Sequence, residues 1–420
     1  MINSGIEWIG EIPDSWKLSR VKYLFYVSKT KAHVKNPTIL KLARSGVQIR
    51  DISSNEGQLA ESYEDYNPVA PEDLLLNPMD LYSGANCNMS EISGVISPAY
   101  VNLRKRTEIN SKFFDYFFKC QYWTMAMFAH GKGISFDNRW TINADTILNY
   151  EIPLPPYDIQ NSIVEAIKMG IAKVDKLVEI QQAQIEKLKE YKQSVITEAV
   201  TKGIDPNVPM KDSGVEWIGK VPVQWQMIET KYLFDVCSGA TPTTSNSKNW
   251  DGDIIWVTPA DYKTEDIYVS RGRRNLSQIG LSSCSASLIP TGNLIFSKRA
   301  PIGAIAINSV DLCTNQGCLG CIVKKVLVLK YYYYIMSIAT KQYELLGSGT
   351  TFKEISCKNF CDFALPYPTI YEQRKIADYL DDKCSKIDKL IEIKQAKIEK
   401  LQEYKKSLIY EYVTGKKEVV

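Results

Sequence analysis

The chain has 420 residues, too many for one ordinary domain and suited to two or three. Hydrophobic residues at 45% and charged residues at 24% place it among folded soluble proteins and exclude a disordered chain. A net charge of +3 excludes a uniformly basic surface, so any nucleic-acid binding rests on local charge or on partner chains.

The chain opens on Ser4-Gly5-Ile6-Glu7-Trp8-Ile9-Gly10-Glu11-Ile12-Pro13-Asp14-Ser15-Trp16, with no basic start and no apolar run behind it. The same block returns as Ser213-Gly214-Val215-Glu216-Trp217-Ile218-Gly219-Lys220-Val221-Pro222-Val223-Gln224-Trp225, with eight of thirteen positions identical at an offset of 209. Lys22-Tyr23-Leu24-Phe25 returns as Lys231-Tyr232-Leu233-Phe234 at that offset. Pro13-Asp14 followed by Lys17 hints at a nuclease motif, but the second copy has Pro222-Val223, so the hint is accidental.

The first insert, 26–150, reads as mixed α/β. Residues 21–27 and 38–42 are β-like, and 113–128 is helical. Lys41, Arg44 and Arg50 share one polar region, and Lys132, Asn138 and Arg139 another. Arginine binds phosphate or pairs with guanine, and Asn pairs with adenine, so both groups are candidates for DNA contact. Pro155-Pro156-Tyr157 resembles part of an adenine-methyltransferase loop, but Leu154 stands where an Asn or Asp is needed. No Gly-rich loop lies upstream. The segment is a stiff junction into a helix.

Residues 158–200 contain no Pro, one Gly, and many Lys, Glu, Gln, Ile and Leu, which favours helix. Steps of three and four pick out Val164, Ile167, Ile171, Val174, Val178, Gln181, Ile185, Leu188, Lys192, Val195 and Ala199, nine of eleven apolar. That is a heptad seam. Shifted by 213, the second copy reads Ala377, Leu380, Cys384, Ile387, Ile391, Lys394, Ile398, Leu401, Lys405, Leu408 and Tyr412, polar at the same two places. Two matched seams point to pairing with each other. Helices of ~40 residues span roughly 60 Å. The linker 203–213 reaches at most ~36 Å, so an antiparallel pair is the simpler geometry. The helix ends are duplicated too, with Ile185-Glu186-Lys187-Leu188 returning as Ile398-Glu399-Lys400-Leu401.

The second insert, 235–362, shares little with the first. Strands are expected at 254–257, 293–296 and 304–307, and a helix at 328–346. Tyr331 to Tyr334 on that helix are read as packing against the sheet rather than stacking on bases. Polar loops hold the DNA-contact candidates Thr241, Thr243, Thr258, Arg271, Arg273, Arg274, Lys298, Arg299, Gln316, Thr351 and Lys353. Cys318, Cys321, Cys357 and Cys361 have zinc-like spacing without a counterpart in the first insert, so no metal is expected. Ten cysteines in such a chain read as reduced cytosolic thiols. The longest apolar stretch, 326–339, contains Lys330 and is too short to span a bilayer, so no membrane partner is expected. Only His33 and His130 are available for nucleophilic or general-base arrangements, and no catalytic residues are assigned.

These motifs resemble those of the specificity subunits of type I restriction–modification enzymes over nearly the whole chain. Gly5-Ile6-Glu7-Trp8-Ile9-Gly10 with Pro13 and Trp16, and Ile185-Glu186-Lys187-Leu188-Lys189-Glu190-Tyr191-Lys192, are highly typical of them. The second insert resembles one class of target recognition domain through Gly239-Ala240-Thr241-Pro242-Thr243, Trp256-Val257-Thr258-Pro259, Lys298-Arg299-Ala300-Pro301-Ile302-Gly303 and Thr314-Asn315-Gln316-Gly317. The first resembles another through Leu40-Lys41-Leu42-Ala43-Arg44-Ser45-Gly46-Val47, and departs from it at Gly131-Lys132-Gly133-Ile134-Ser135, where a more basic stretch is expected.

The expected fold is α+β: two mixed α/β target recognition domains separated by an antiparallel two-helix coiled coil, as a pseudo-twofold tandem repeat. The segments are 1–155, 156–203, 204–367 and 368–420, with Ile167, Ile171, Val174, Val178, Ile185, Leu188, Leu380, Ile387, Ile391, Ile398 and Leu401 in the seam. The resemblance implies that each domain reads one half of a split double-stranded DNA site, and that the helices set the gap and dock two methyltransferase subunits. Restriction (motor-nuclease) subunits complete the complex. S-adenosylmethionine, ATP and Mg belong to those partners, with none in this cytoplasmic chain. The alternative is a recognition or scaffolding protein outside restriction, such as a regulator with paired DNA-binding modules. A self-contained methyltransferase ranks last.

Overall fold

A computed structural model describes residues 1–52, 60, 62–79, 81, 86–133, 140–263, 266–349 and 353–419. The chain divides into two compact units, Met1–Gln182 with Gln395–Val420, and Ala183–Lys394. The cut falls inside both long helices, Tyr157–Lys202 and Ile370–Val413.

In the first unit, the opening strand Lys17–Arg20 pairs antiparallel with the closing strand Glu151–Leu154, Arg20 opposite Glu151. This two-stranded clasp brings the ends of the insert together. The expected strand at 21–27 is only half right. Val21–Leu24 forms a helical turn, and the strand is Phe25–Val27. Val21 and Leu24, three apart, share the buried face of that turn, leaving Lys22 and Tyr23 outside. Beyond it lies a four-stranded sheet in the order Phe25–Val27, Val101–Lys105, Leu74–Leu76, Cys87–Met89. Helix Ser111–Trp123 packs on it through Phe113, Phe114, Phe117 and Phe118. The same core takes in Ile163, Val164 and Ile167 from one long helix and Ile409 and Val413 from the other. Lys405 Nζ lies 2.8 Å from Asp175, and a Cβ on the helical Gly170 would meet Leu408 at 2.4 Å. These pairs run in opposite chain directions. The second shows why a glycine, normally costing a helix ~1 kcal/mol, is tolerated there.

The second unit repeats the frame. Gln226–Glu229 pairs with Ala364–Tyr367, Glu229 opposite Ala364, which is the register of the first clasp shifted by the two sequence offsets. Its insert differs. A five-stranded sheet runs Phe234–Ser238, Cys318–Val323, Leu294–Ser297, Ile305–Asn308, Tyr268–Val269, beside a three-stranded sheet centred on Trp250–Val257. The expected helix at 328–346 is two, Leu329–Ile338 and Thr340–Leu346. It breaks at Ala339, where ψ is 3°, against the turn at Gly303, whose missing Cβ would stand 3.0 Å from Thr340. Tyr331 to Tyr334 are buried between sheet and long helices. Tyr331 donates its hydroxyl proton to the Val200 carbonyl and Tyr334 donates to Asp381. Lys192 sits 2.7 Å from Asp388, the equivalent of Lys405 and Asp175 at offset 213.

Every seam position is buried or half-buried. Leu188 and Leu401 are half-buried, whereas Ile185 and Ile398 are buried. Each long helix ends on a left-handed glycine, Gly203 (φ +79°) and Gly415 (φ +73°). Gly203 rests on Trp225, and a Cβ on Gly415 would come within 2.3 Å of Pro13. No described helix is long and apolar enough to cross a membrane.

Candidate nucleic-acid interface

Most predicted contact residues of the second unit lie on loops that the backbone ties together. Ala240 N–H donates to the Thr314 carbonyl, Asn315 N–H to Val257, and Lys298 N–H to Gly317. Residues 239–243, 256–261, 271–274, 297–299 and 314–317 therefore form one connected polar surface.

Within it the cations are held. Asp261, its side chain nearly buried, accepts from the Thr258 amide and hydroxyl and from the Arg273 amide. Arg273 also donates to the Ala260 carbonyl, at 3.1 Å, with its side chain 76% exposed. Arg274 lies over the Trp250 ring at 3.9 Å, a cation–π contact that steers its guanidinium. Arg271 and Thr243 are exposed, and Gln316 bonds Thr241. Lys298 and Arg299 both grip Glu354, at 2.9 and 2.7 Å, and Lys353 stands exposed next to that carboxylate. Burial pushes the Glu354 carboxyl up, but the hydrogen bonds from Lys298 and Arg299 outweigh it and hold the pKa below the ordinary 4.5. The pair's contribution is present above that ordinary value and fades as pH falls through the lowered one. Thr351 lies outside the described residues.

In the first unit, Lys41 and Arg44 are exposed on the hairpin Leu40–Ala43 and Gly46–Ile49, and Arg50 follows it half-buried. The hairpin is tied down by Asn88 Nδ2 donating to the Ala43 carbonyl. Lys132 lies elsewhere, exposed on a bridge to Thr141. Asn138 and Arg139 lie outside the described residues.

Sequence reading missed Asp261, Trp250 and Glu354, two of them because an acid carries the wrong sign for DNA. It also missed Gln160 and Gln373, each 1% exposed and 213 apart. Gln160 accepts from the Asn110 amide and donates to the Pro155 carbonyl. Gln373 accepts from the Val328 amide and donates to Pro368. Each ties a long helix's first turn to the start of its insert's own helix. Their signal was identity between the copies just after the Pro-rich junctions.

Cys318 and Cys321, three apart on one strand, face opposite sides of the sheet and enter different cores. They cannot close round one ion, and burial lifts the Cys318 thiol to about 12. Among the described residues no cluster of three or more His, Cys, Asp or Glu is placed to hold a metal.

A polar loop surface carrying several cations is suited to contact a sugar–phosphate backbone. Residues 222–403 match the family described as "Type I restriction modification DNA specificity domain". The chain is 39% identical over 178 residues to the MjaIX specificity subunit of Methanocaldococcus jannaschii, covering 42% of this chain and 40% of the relative. It is 28% identical over 285 residues to the MjaX specificity subunit of that organism, covering 67% and 63%. The matches thus span 40% and 63% of those relatives' lengths. A solved chain from a type I R-M system superimposes with a TM-score of 0.69 at 16% identity, covering 96% of this chain and 98% of the other. Residues 222–403 thus match a type I restriction modification DNA specificity domain, and the chain is similar to specificity subunits of type I restriction–modification systems.

Glu354→Gln should leave Lys298 and Arg299 without their counterion. Binding to non-target duplex should strengthen, and the slope of log affinity against log salt should steepen by ~1–2. An unchanged slope in a fluorescence-anisotropy salt series would show that neither cation reaches phosphate.

Proposed function

We propose that this chain is the non-catalytic DNA reader of a type I restriction–modification complex, each insert reading one half of a bipartite site in double-stranded DNA. One observation carries the reading: two clasps of identical register hold two different sheets with different polar loops. A duplicated frame with diverged inserts suits a split, asymmetric target. The long helices pair as an antiparallel coiled coil that spaces the readers and docks two methyltransferase subunits. Those subunits hold S-adenosylmethionine and methylate adenine at N6. Restriction subunits bring ATP and Mg, and the complex works in the cytoplasm.

Replacing residues 17–152 with the insert of a relative should change one half of the methylated motif, read by long-read sequencing of host DNA. Change in both halves, or in neither, overturns modular reading. The purified chain alone should transfer no methyl group from labelled S-adenosylmethionine to DNA, and transfer would overturn the non-catalytic reading.

Four residues, just over one helical turn, added near the start of the first long helix advance it ~6 Å, against ~3.4 Å per base pair. The gap in the motif should lengthen by one or two base pairs with both halves kept. A folded, methylating variant with the old gap counts against a ruler.

A further inference from the structure

The duplication allows each position to be compared with its twin. Several residues identical in both copies are buried and explained by packing: Trp16 and Trp225, Leu24 and Leu233, Phe25 and Phe234. Others, such as Tyr191 and Tyr404, are exposed, and so are Tyr23 and Tyr232. They are 63% and 54% exposed, each under its neighbouring lysine at 5.4 Å from the ring centroid.

The surroundings are twinned as well. Lys22 donates to Asn149, and Lys231 to Asp362, positions 213 apart at the foot of each clasp. Asn149 lines a cleft of about 1030 Å³ with Ile6 and Trp8. Asp362 lines one of about 370 Å³ with Val215 and Trp217. Each unit thus carries a corresponding patch of exposed tyrosine, clamped lysine and tryptophan-lined cleft, though the clefts differ in size and the lysines in partner charge. An exposed ring contributes nothing to the core, while buried Tyr and Trp anchors dominate protein interfaces.

We propose that these twin patches are docking sites, each taking the same segment of a protein subunit that binds this chain in two copies. The inference rests on the reading above that two methyltransferase subunits bind.

Charge and sameness identify the occupant. Glu7, Asp145 and Glu151 line the first cleft, and Lys231 of the second patch is neutralised by Glu229 and Asp362. Arg20 also lines the first cleft, paired with Glu151, so each patch mixes both signs and is not the cationic groove that a phosphate backbone takes. Base readers must differ between two half-sites, whereas these patches share their tyrosine, lysine and tryptophan. The fitting segment offers an apolar side chain to the tryptophan cleft and a Lys or Arg to the carboxylates.

The test is native mass spectrometry of the full chain co-purified with the methyltransferase subunits of its own system. The wild type should hold two subunits. Tyr23→Glu and Tyr232→Glu should each lose one, with that subunit's affinity down at least ~10-fold, and the double variant should lose both. Tyr23→Phe and Tyr232→Phe, keeping the ring, should hold two. A double Glu variant that holds two subunits at wild-type affinity overturns the proposal. So does a double variant whose lone chain binds non-target duplex with a reduced salt slope, which would make the patches phosphate contacts. A wild-type chain that holds no subunit sinks the reading beneath it instead.

Discussion

Leu380→Asp should unfold the second unit. Leu380 is 0% exposed and packs in one cluster with Ile196, Val200, Trp225 and Tyr331. The substitution removes a fully buried leucine, worth ~2–5 kcal/mol on truncation alone, and leaves an unpaired carboxylate among apolar groups. Together these reach much of the ~5–15 kcal/mol that holds an ordinary domain. Leu188→Asp and Leu401→Asp should cost far less, because those half-buried seam positions let a carboxylate reach water. Tyr404→Asp, at a site 51% exposed on the same helix, should stay within about 0.5 kcal/mol of wild type. Urea denaturation followed by circular dichroism gives the order. If Leu380→Asp unfolds at the wild-type midpoint, the helix is not packed there.

The repeated parts of the molecule were legible in the sequence because periodicity and duplication are one-dimensional signals. The seam from Val164 to Ala199 reads directly from steps of three and four, and its twin reads from an offset of 213. Strand and helix assignments failed where tertiary context decided. Residues 21–24 look β-like from Val21 and Leu24, yet a spacing of three also suits one helical turn, and the clasp before it sets the choice. The break at Ala339 coincides with a close approach of Gly303 to Thr340, a contact between segments far apart in the chain. Basic loop residues of the second insert were found by composition, but their partners were not. Asp261 and Glu354 act by holding cations in place, and nothing local in the sequence marks an acid for that role.

Gln160→Met should cost the first unit ~2–6 kcal/mol with almost no change in side-chain volume. The Asn110 amide and the Pro155 carbonyl each lose a buried partner, at ~1–3 kcal/mol apiece. Gln373→Met should cost the second unit a similar amount, through the Val328 amide and the Pro368 carbonyl. Gln160→Glu separates hydrogen bonding from packing. A protonated glutamic acid has one acceptor oxygen for Asn110 and one O–H donor for Pro155, so it mimics the amide. An ionised one has no donor, and it carries a charge that burial disfavours. The folded state therefore raises the pKa of this carboxyl above its unfolded value. By linkage its contribution is fully present below the unfolded pKa and is lost as pH rises through the folded one. Relative to wild type at each pH, Gln160→Glu should approach full stability in acid and fall to the level of Gln160→Met or below at neutral pH. A Gln160→Glu deficit that does not vary with pH would show that Gln160 acts by filling space rather than by joining the helix to the insert.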